Sequence, residues 1–265
     1  MTPCCSITHL PETPSIRSSS SGFHAHHPRL APNRNTPPAA AVDPLSMPRL
    51  ILASTSPRRR RLLAEYGLSA EPIHPGLDDA LLSPGKVSAA GWAAALAYLK
   101  ASSATRNPAV STPRPPAPGE TVVIAADTVV VKNGRFIGQP RDAADAESII
   151  RTLEGGEHEV VTGVCLLDPA TNRRDVFTDR ATVAVGRIGD GRIRDYIASG
   201  GWKGKAGAYN LAERLAEGWP IEYRGDPTTI MGLPMSILPV RLEAFAASYA
   251  LQHAAGAATT DLPRR

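Results

Sequence analysis

The amino-acid sequence predicts an α/β fold, in which a single domain is built around a mixed β-sheet flanked by helices. Three observations lead to this prediction. Segments with the apolar pattern of strands alternate with segments of helical pattern over most of the chain after residue 48. Several strand-like runs are apolar throughout, as in sheets that are covered on both faces. Two pairs of β-rich runs are joined by short turns, which indicates antiparallel hairpins within the same sheet.

Four elements are predicted in the first half of this region. The run RLILA (49–53) predicts a strand, and the Ser-Pro pair after it predicts a helix over 57–66 that a glycine ends. An alanine-rich helix is expected over 87–102. Residues 121–126 are apolar and predict a buried strand that ends immediately before Asp127.

Turn residues organise the second half. Asn133 and Gly134 lie between β-rich flanks over 129–138 and predict a hairpin, because both residues accept positive φ. A helix is predicted from Asp142, its N-cap, to Leu153, with two glycines after it. The remaining predicted elements are β-rich runs over 158–168 and 173–185, joined by a Pro-Ala-Thr-Asn turn, and helices over 190–199 and 235–250.

Composition divides the chain into parts. Residues 1–47 are rich in Pro, Ser, His and Ala without a sustained period, so burial cannot offset their ordering entropy, and a disordered extension is predicted. Met47 directly precedes the first strand, which leaves open that translation naturally starts there. The predicted domain covers 48–252 with a Pro-rich surface insertion over 103–120, and 253–265 is expected to be a frayed tail.

Charge and cysteine content narrow the classes of function. The 265 residues include 29 Lys and Arg against 25 Asp and Glu, which gives a formal charge of +4 and a pI near 9.1. This modest excess favours small anions as readily as nucleic acid. Three cysteines without metal-ligand spacing do not make the disulfide framework of a secreted protein. Without an apolar run typical of a signal peptide or a membrane span, a cytoplasmic location with no membrane partner is expected.

The stretch LASTSPRRRRLL (52–63) concentrates positive charge where a strand becomes a helix. Ser56 is predicted as the N-cap and Pro57 as the first helical residue. Arg58 and Arg59 then lie in the first turn, where cations oppose the positive end of the helix dipole. Free N–H groups, hydroxyls and guanidinium groups are together what a phosphate pocket requires. The alternative is a basic surface helix with solvated arginines.

Two further stretches carry candidate residues. In IAADTVV, Asp127 and Thr128 follow a buried run, and α/β sheets bind ligands at the ends of their strands. An aspartate there would accept a proton from water or hold Mg²⁺ beside phosphates, whereas the alternative is an ordinary turn carboxylate. In WKGKAGAYN, Lys203 and Lys205 flank small residues that permit close approach to a ligand, and the alternative is a solvated basic loop.

Four motifs occur in a specific order: LILASTSPRRRRLL, VIAADTVVV with NGRFIGQPRD, KAGAYN, and IMGLPMSIL. In this order they resemble the Maf family of nucleoside triphosphate pyrophosphatases, over about residues 49–250. The resemblance implies an elongated mixed sheet with a central cleft, a homodimer, and a divalent metal, Mg²⁺ or Mn²⁺. It also implies hydrolysis of nucleoside triphosphates to the monophosphate and pyrophosphate. Some members of the family have been linked to septum formation.

The resemblance also implies roles for individual residues. Asp127 is implied as the proton acceptor that activates water for attack on the α-phosphorus. The helix containing LAYLKASS is similar to the LAxxKA helix of the family and adds a lysine. The implied substrate-binding residues are Ser54, Arg58, Arg59, Lys100, Thr128 and Lys205. Because a highly charged phosphate repels an anionic nucleophile, several cations and a metal are expected to neutralise it.

Several positions depart from the family pattern. Members acting on dTTP and UTP carry GKP after the hairpin and GIQG after AGAY. This chain has Gln139 in place of that lysine and Ala212 in place of that glutamine. Arg58 and Thr128 favour the dTTP/UTP branch, but the preferred base stays open. The missing lysine could be replaced in function by Lys132, Arg135 or Arg141. Glu213 is a candidate for contact with the base. Asp78 and Asp79 either assist the metal or are exposed loop carboxylates.

Two other classes of function remain as alternatives. A non-catalytic nucleotide-binding regulator of cell division is favoured by the absence of the family lysine and glutamine. A nucleic-acid-binding module rests on the arginine run and the pI, but the chain has neither interleaved aromatic residues nor a helix-turn-helix pattern. The sequence therefore predicts a nucleotide substrate and no nucleic-acid partner.

Overall fold

The computed structural model describes residues 47–79 and 82–259. The predicted disordered extension, apart from Met47, and the last six residues of the predicted tail lie outside the described residues. The described residues form a mixed α/β structure around one sheet, which confirms the predicted fold class.

Seven strands of the described residues form this sheet. They are β1 (Arg49–Ala53), β2 (Ala70–Ile73), β3 (Thr121–Lys132), β4 (Arg135–Ile137), β5 (Gly156–Leu167), β6 (Arg174–Val185) and β7 (Ile221–Arg224). Their order is β2-β1-β3-β5-β6-β7, and β4 pairs with β3. Strand β1 is parallel to β2 and β3, and the other pairs are antiparallel.

Helices cover both faces of the sheet. They are α1 (Pro57–Glu65), α2 (Ala89–Ala104), α3 (Ala143–Leu153), α4 (Asp190–Ser199), α5 (Leu211–Ala216), α6 (Pro227–Met231) and α7 (Leu238–Thr259), with 3₁₀ turns at Pro108–Ser111 and Ala206–Ala208. Neither α7, the longest of them, nor any other helix of the described residues has the length and hydropathy needed to span a bilayer.

Alternate residues of β3 contact different helices. Val122 and Ile124 pack in one cluster with side chains of α1 and α7. Val123 and Ala125 point the other way and pack against the alanines of α2. A strand buried on both faces needs apolar residues at every position, which is why this run is apolar without alternation.

The edge of β3 that faces β1 has a gap. Strand β1 accompanies β3 as far as the Leu52–Ile124 pair, and β4 joins the same edge only at the Ile137–Val130 pair. Residues 125–129 of β3 therefore have β5 on one side and, within the described residues, no strand on the other. Side chains from both faces of β3 can reach the same opening there.

The prediction that Asp127 lies at the end of a strand is wrong. Strand β3 continues to Lys132, because its pairing with β5 runs through Asp127–Gly163 and Thr128–Thr162 without interruption. The strand end near Asp127 is instead that of β1, which stops at Ala53.

The predictions that rested on turn residues agree with the structure better than the predicted end of β3. Asn133 and Gly134 have positive φ and form the β3–β4 turn, and Asn172 has positive φ in the turn between β5 and β6. Helix α4 has the predicted bounds. Strands β2 and β7 and helices α5 and α6 were not predicted, and α7 occupies Leu238–Thr259 rather than 235–250.

The Pro-rich stretch after α2 packs against the start of the sheet. Its 3₁₀ turn buries Val110, and the Arg49 guanidinium donates to the carbonyl oxygens of Ala109 and Thr112 at 3.0 and 3.3 Å. Most of the other side chains of this stretch are exposed, as expected for a surface insertion.

Candidate active site

A cavity of about 700 Å³ opens at the gap beside β3. Its walls come from the β1–α1 connection, the middle of β3, helix α2, the 203–213 segment and the end of α6. All seven residues nominated from the sequence line this cavity: Ser54, Arg58, Arg59, Lys100, Asp127, Thr128 and Lys205.

Asp127 lies on the α2 side of β3, where it pairs with a lysine of that helix. The Lys100 Nζ atom is 2.5 Å from Asp127 Oδ1 and 2.6 Å from Asp79 Oδ2. The side chains of Lys100 and Asp127 are 13% and 11% exposed, so this pairing is largely shielded from water. Two carboxylates thus converge on one cation in the wall of the cavity.

Arg59 lies on the opposite side of β3 and joins three segments. Its Nε donates to the carbonyl oxygen of Gly232 (2.9 Å), its Nη2 to Thr128 Oγ1 (3.1 Å) and its Nη1 to Ser54 Oγ (3.4 Å). Burial lowers the pKa of Arg59, and the nearby Asp127 carboxylate opposes this shift. Arginine stays protonated in proteins even so, and the three hydrogen bonds hold this positive charge in the cavity wall.

Thr128 is held from behind by β5. Its hydroxyl lies 2.9 Å from Thr162 Oγ1, which donates to the carbonyl oxygen of Thr229 at 2.7 Å. This hydrogen-bond chain connects the centre of the sheet to α6. Thr229 and Gly232, at and just after α6, thereby hold two side chains of the site in place.

Arg58 carries a charge that no ion pair within the described residues neutralises. Burial lowers its pKa, and Glu213 opposes this shift. Ser56 occupies the N-cap position as predicted, but its side chain makes no capping hydrogen bond. Instead its backbone N–H donates to Ser54 Oγ (3.2 Å). The start of α1 therefore retains donors for an anion in the cavity.

The KAGAYN segment approaches the sheet closely. Gly207 has a φ of 71°, its N–H donates to the carbonyl oxygen of Gly138 (3.1 Å), and a Cβ added to it would lie 3.1 Å from the Val130 side chain. This packing brings Lys205 to the cavity, where its Nζ lies 2.6 Å from Glu213 Oε2.

Some further candidates from the sequence lie outside this cavity. Lys132 donates to the carbonyl oxygens of Thr152 and Leu153 at the end of α3, and Arg141 pairs with Asp145. Neither they nor Arg135 are among the residues that line it, whereas Gln139 and Glu213 are. Of the two loop aspartates, Asp79 lines the cavity.

Arg61, His74 and Lys203 also line the cavity, and none of these three was among the seven residues nominated from the sequence. Arg61 belongs to the arginine run of which the sequence analysis nominated only Arg58 and Arg59. Lys203 was noticed only as part of a basic turn, and no local pattern marks His74. Proximity to another site residue in sequence was the available signal for Arg61 and Lys203.

The wall is predominantly cationic. Its lysines and arginines are Arg58, Arg59, Arg61, Lys100, Lys203 and Lys205, and its carboxylates are Asp79, Asp127 and Glu213. Within the described residues, no group of three or more His, Cys, Asp or Glu side chains could hold a metal ion. The fold and this cavity together define an α/β protein with a predominantly cationic cavity at a break in its sheet, which is the kind of site that suits a polyanion.

Comparison with known proteins defines the family. The sequence model of the Maf family, described as "Maf-like protein", matches residues 49–245. The chain therefore belongs to the Maf family, as the order of its motifs predicted.

Named relatives cover most of the chain. A dTTP/UTP pyrophosphatase of Pelotomaculum thermopropionicum is 35% identical over 199 residues, which are 75% of this chain and 97% of the relative. One of Anaeromyxobacter dehalogenans is 38% identical, covering 71% of this chain and 90% of the relative. One of Koribacter versatilis is 39% identical, covering 71% and 89%.

Proposed function

We propose that this protein hydrolyses nucleoside triphosphates, of the dTTP/UTP type, to the monophosphate and pyrophosphate. The observation that carries the proposal is the shared cavity of one buried carboxylate, Asp127, and a wall of lysines and arginines. The names of the relatives support the same activity and the same substrates. They do not favour the alternative of a non-catalytic regulator.

The lysines and arginines of the cavity wall bind the triphosphate of the substrate. Arg58, Arg59 and Ser54 hold the triphosphate near the start of α1, where guanidinium groups can bond phosphate oxygens in pairs. Lys100 and Lys205 neutralise charge from the two other walls. Thr128, held by Thr162 from behind, contacts the substrate beside Asp127. Holding the phosphates in one orientation lowers the entropic part of the barrier.

Asp127 then acts on water. Its carboxylate accepts a proton as the water oxygen forms a bond to the α-phosphorus. The bond from the α-phosphorus to the bridging oxygen breaks, and pyrophosphate leaves with that electron pair. In the free protein the carboxylate is paired with Lys100. An anionic substrate offers this lysine, which also contacts Asp79, a further partner and so frees the Asp127 carboxylate to accept the proton.

The two aspartates fit a divalent cation. Asp79 and Asp127 direct one oxygen each at the same ammonium nitrogen, so they converge where a cation already lies. Mg²⁺ is typically bound by one or two carboxylates together with substrate phosphates. Mg²⁺ or Mn²⁺ would neutralise charge that develops on the phosphate oxygens. We include this metal requirement in the proposal, with Asp79 and Asp127 as the residues that would hold it.

Two further properties belong to the proposal. A homodimer is supported by the resemblance to the family. A cytoplasmic location is supported by the low cysteine content. Cys165, the cysteine within the described residues, is a buried free thiol. Burial raises the pKa of this thiol to about 12.

Asp127→Asn tests the proposed function. We expect pyrophosphate release from dTTP or UTP with Mg²⁺ or Mn²⁺ to fall by about 10²-fold or more, because the amide cannot accept the proton. The matched control is Asp175→Asn, on the exposed pair with Arg241, which should retain full activity. Equal release by Asp127→Asn and wild type, or nucleotide binding by wild type without any release, would refute the proposal.

A further inference from the structure

The hydrogen bonds between β5 and the cavity have a fixed direction. Thr162 is fully buried, and its hydroxyl donates to the backbone carbonyl oxygen of Thr229 at 2.7 Å. A carbonyl oxygen can only accept, and a hydroxyl has one hydrogen to give. In the 2.9 Å contact between the hydroxyls of Thr162 and Thr128, Thr128 is therefore the donor.

This direction decides what Thr128 offers to Arg59. Because its one hydrogen points at β5, Thr128 Oγ1 can only accept from other groups, and it accepts from Arg59 Nη2 at 3.1 Å. Of the five N–H donors of Arg59, three are used within the described residues, one on each nitrogen. One N–H on each terminal nitrogen is left for an anion in the cavity that Arg59 lines.

The other end of this chain of hydrogen bonds is anchored in the sheet. Thr229 is fully buried, and its hydroxyl donates to Asp179 Oδ2. Asp179 lies on β6 as the cross-strand partner of Thr162. Gly232, whose carbonyl oxygen accepts from Arg59 Nε, follows the same short helix. Two of the acceptors that orient Arg59 are thus held by the same part of β5 and β6.

We propose that Thr162 is a positioning residue for the triphosphate. It acts through Thr128, whose hydroxyl it keeps as an acceptor, and so keeps the guanidinium group of Arg59 turned towards the phosphates. This inference rests on the proposed function. Because the guanidinium is oriented before the substrate arrives, binding does not have to restrict its rotation, and affinity is higher for that reason.

Thr162→Val removes the hydroxyl and keeps the shape of the side chain. Its methyl group would lie beside Thr128 Oγ1, where the two oxygens are 2.9 Å apart, and a carbon and an oxygen need about 3.3 to 3.6 Å. Thr128 must therefore move, and the guanidinium that it orients moves with it. The carbonyl oxygen of Thr229 still accepts from the Gly232 N–H at 3.1 Å, so the variant leaves it with a partner and we expect it to fold.

The measurement is the dissociation constant of UTP in which a methylene group replaces the α–β bridging oxygen. We expect Thr162→Val to raise it about tenfold, which is the effect of losing a hydrogen bond to a charged group. Thr162→Ser keeps the hydroxyl and should stay within about twofold of wild type. With UTP itself, KM should rise about tenfold and kcat should change less than about threefold, because Arg59 holds the phosphates before and during the reaction.

A double variant separates positioning from a general structural effect. If Thr162 acts through Thr128, adding Thr162→Val to Thr128→Val should raise the dissociation constant by less than about twofold. Thr162→Ala removes the hydroxyl without a methyl group beside Thr128 and should also weaken binding, which covers failure of the valine variant to fold. Thr121→Val, a buried position on β3 outside the cavity wall, is the matched control and should bind as wild type.

Wild-type affinity in Thr162→Val and Thr162→Ala, an equal loss in Thr162→Ser, or independent effects in the double variant would overturn the inference. Absence of pyrophosphate release from UTP by wild type would refute the proposed function, while the dissociation constants still decide the role of Thr162.

Discussion

Individual side chains connect segments that are remote in the chain. Arg59 bonds to Gly232, which is 173 residues away, and to Thr128, which is 69 residues away. A planar guanidinium presents five N–H donors in fixed directions, so this one side chain holds three segments in a defined geometry. The arginine that opposes the dipole of α1 thereby acts as part of the floor of the site.

His158 is the residue from which we expect a pH dependence of stability. It is buried on β5, its Nε2 lies 2.8 Å from the hydroxyl of Tyr209, and burial lowers its pKa to about 4, assisted by Lys132. The unfolded chain has an ordinary histidine pKa near 6.5 and so binds the proton more tightly. The stabilisation is therefore complete above about pH 6.5 and is lost as the pH falls towards 4.

The expected loss from this histidine is about 2 kcal/mol between pH 7 and pH 5. Urea unfolding of wild type and His158→Gln at both pH values measures it, because glutamine keeps a hydrogen bond to Tyr209 and does not titrate. His74→Gln, at an exposed position, serves as the control and should behave as wild type. A pH dependence of unfolding in His158→Gln that equals that of wild type would contradict this prediction.

At the level of elements, the contact of α2 with the sheet positions the reacting groups. Gly163 of β5 pairs with Asp127, and a Cβ added to it would lie 2.4 Å from the backbone carbonyl of Ala93 in α2. Lys100 lies two turns further along the same helix. The missing side chain of one glycine thus lets α2 approach closely enough for Lys100 to reach Asp127.

Gly163→Ala should disturb both stability and activity. Because the obstacle is helix backbone, α2 must move, and we expect a cost of about 3 kcal/mol in the free energy of unfolding together with a loss of pyrophosphate release. Gly191→Ala in α4, where a Cβ meets no atom of the described residues within 4 Å, is the matched control and should stabilise by up to about 1 kcal/mol. An unfolding free energy for Gly163→Ala equal to that of wild type would show that this close approach is unimportant.

For the molecule as a whole, the distribution of charge matters more than its sum. The net charge of the chain is small, yet the cavity wall carries twice as many lysines and arginines as carboxylates. A cleft with walls of one sign concentrates the potential and attracts ligands of the opposite sign. This local concentration of positive charge explains how a protein of small net charge can attract a triphosphate.

Salt should therefore weaken the reaction. Between about 0.01 and 0.15 M ionic strength the screening length falls from about 30 to 8 Å, and we expect kcat/KM for UTP to fall by about tenfold. Arg61→Gln, which removes a charge of the wall, should show a shallower salt dependence than its neighbour Arg60→Gln, which lies outside the wall. Identical slopes for the two variants would argue against steering by the cavity.

The sequence predicted long elements better than short ones. The apolar run of β3 and the turn at Asn133 and Gly134 carry strong local signals, and both were recognised. Strand β2 has only four residues and includes a glutamate and a proline, while α5 has six residues, fewer than two helical turns. Elements this short have no measurable period, and only packing stabilises them.

The sequence by itself determined which residue types the site contains, the order of its motifs, and the turns and caps that depend on a few neighbouring residues. Only the tertiary structure decided that β1 ends beside the middle of β3, that Asp127 lies within a strand, and that Lys100 and Lys205 each pair with a carboxylate. The physical reason is the separation along the chain of the residues that interact. Turns and caps depend on backbone preferences within a few residues, whereas the cavity and its ion pairs depend on strand register and helix packing between distant segments.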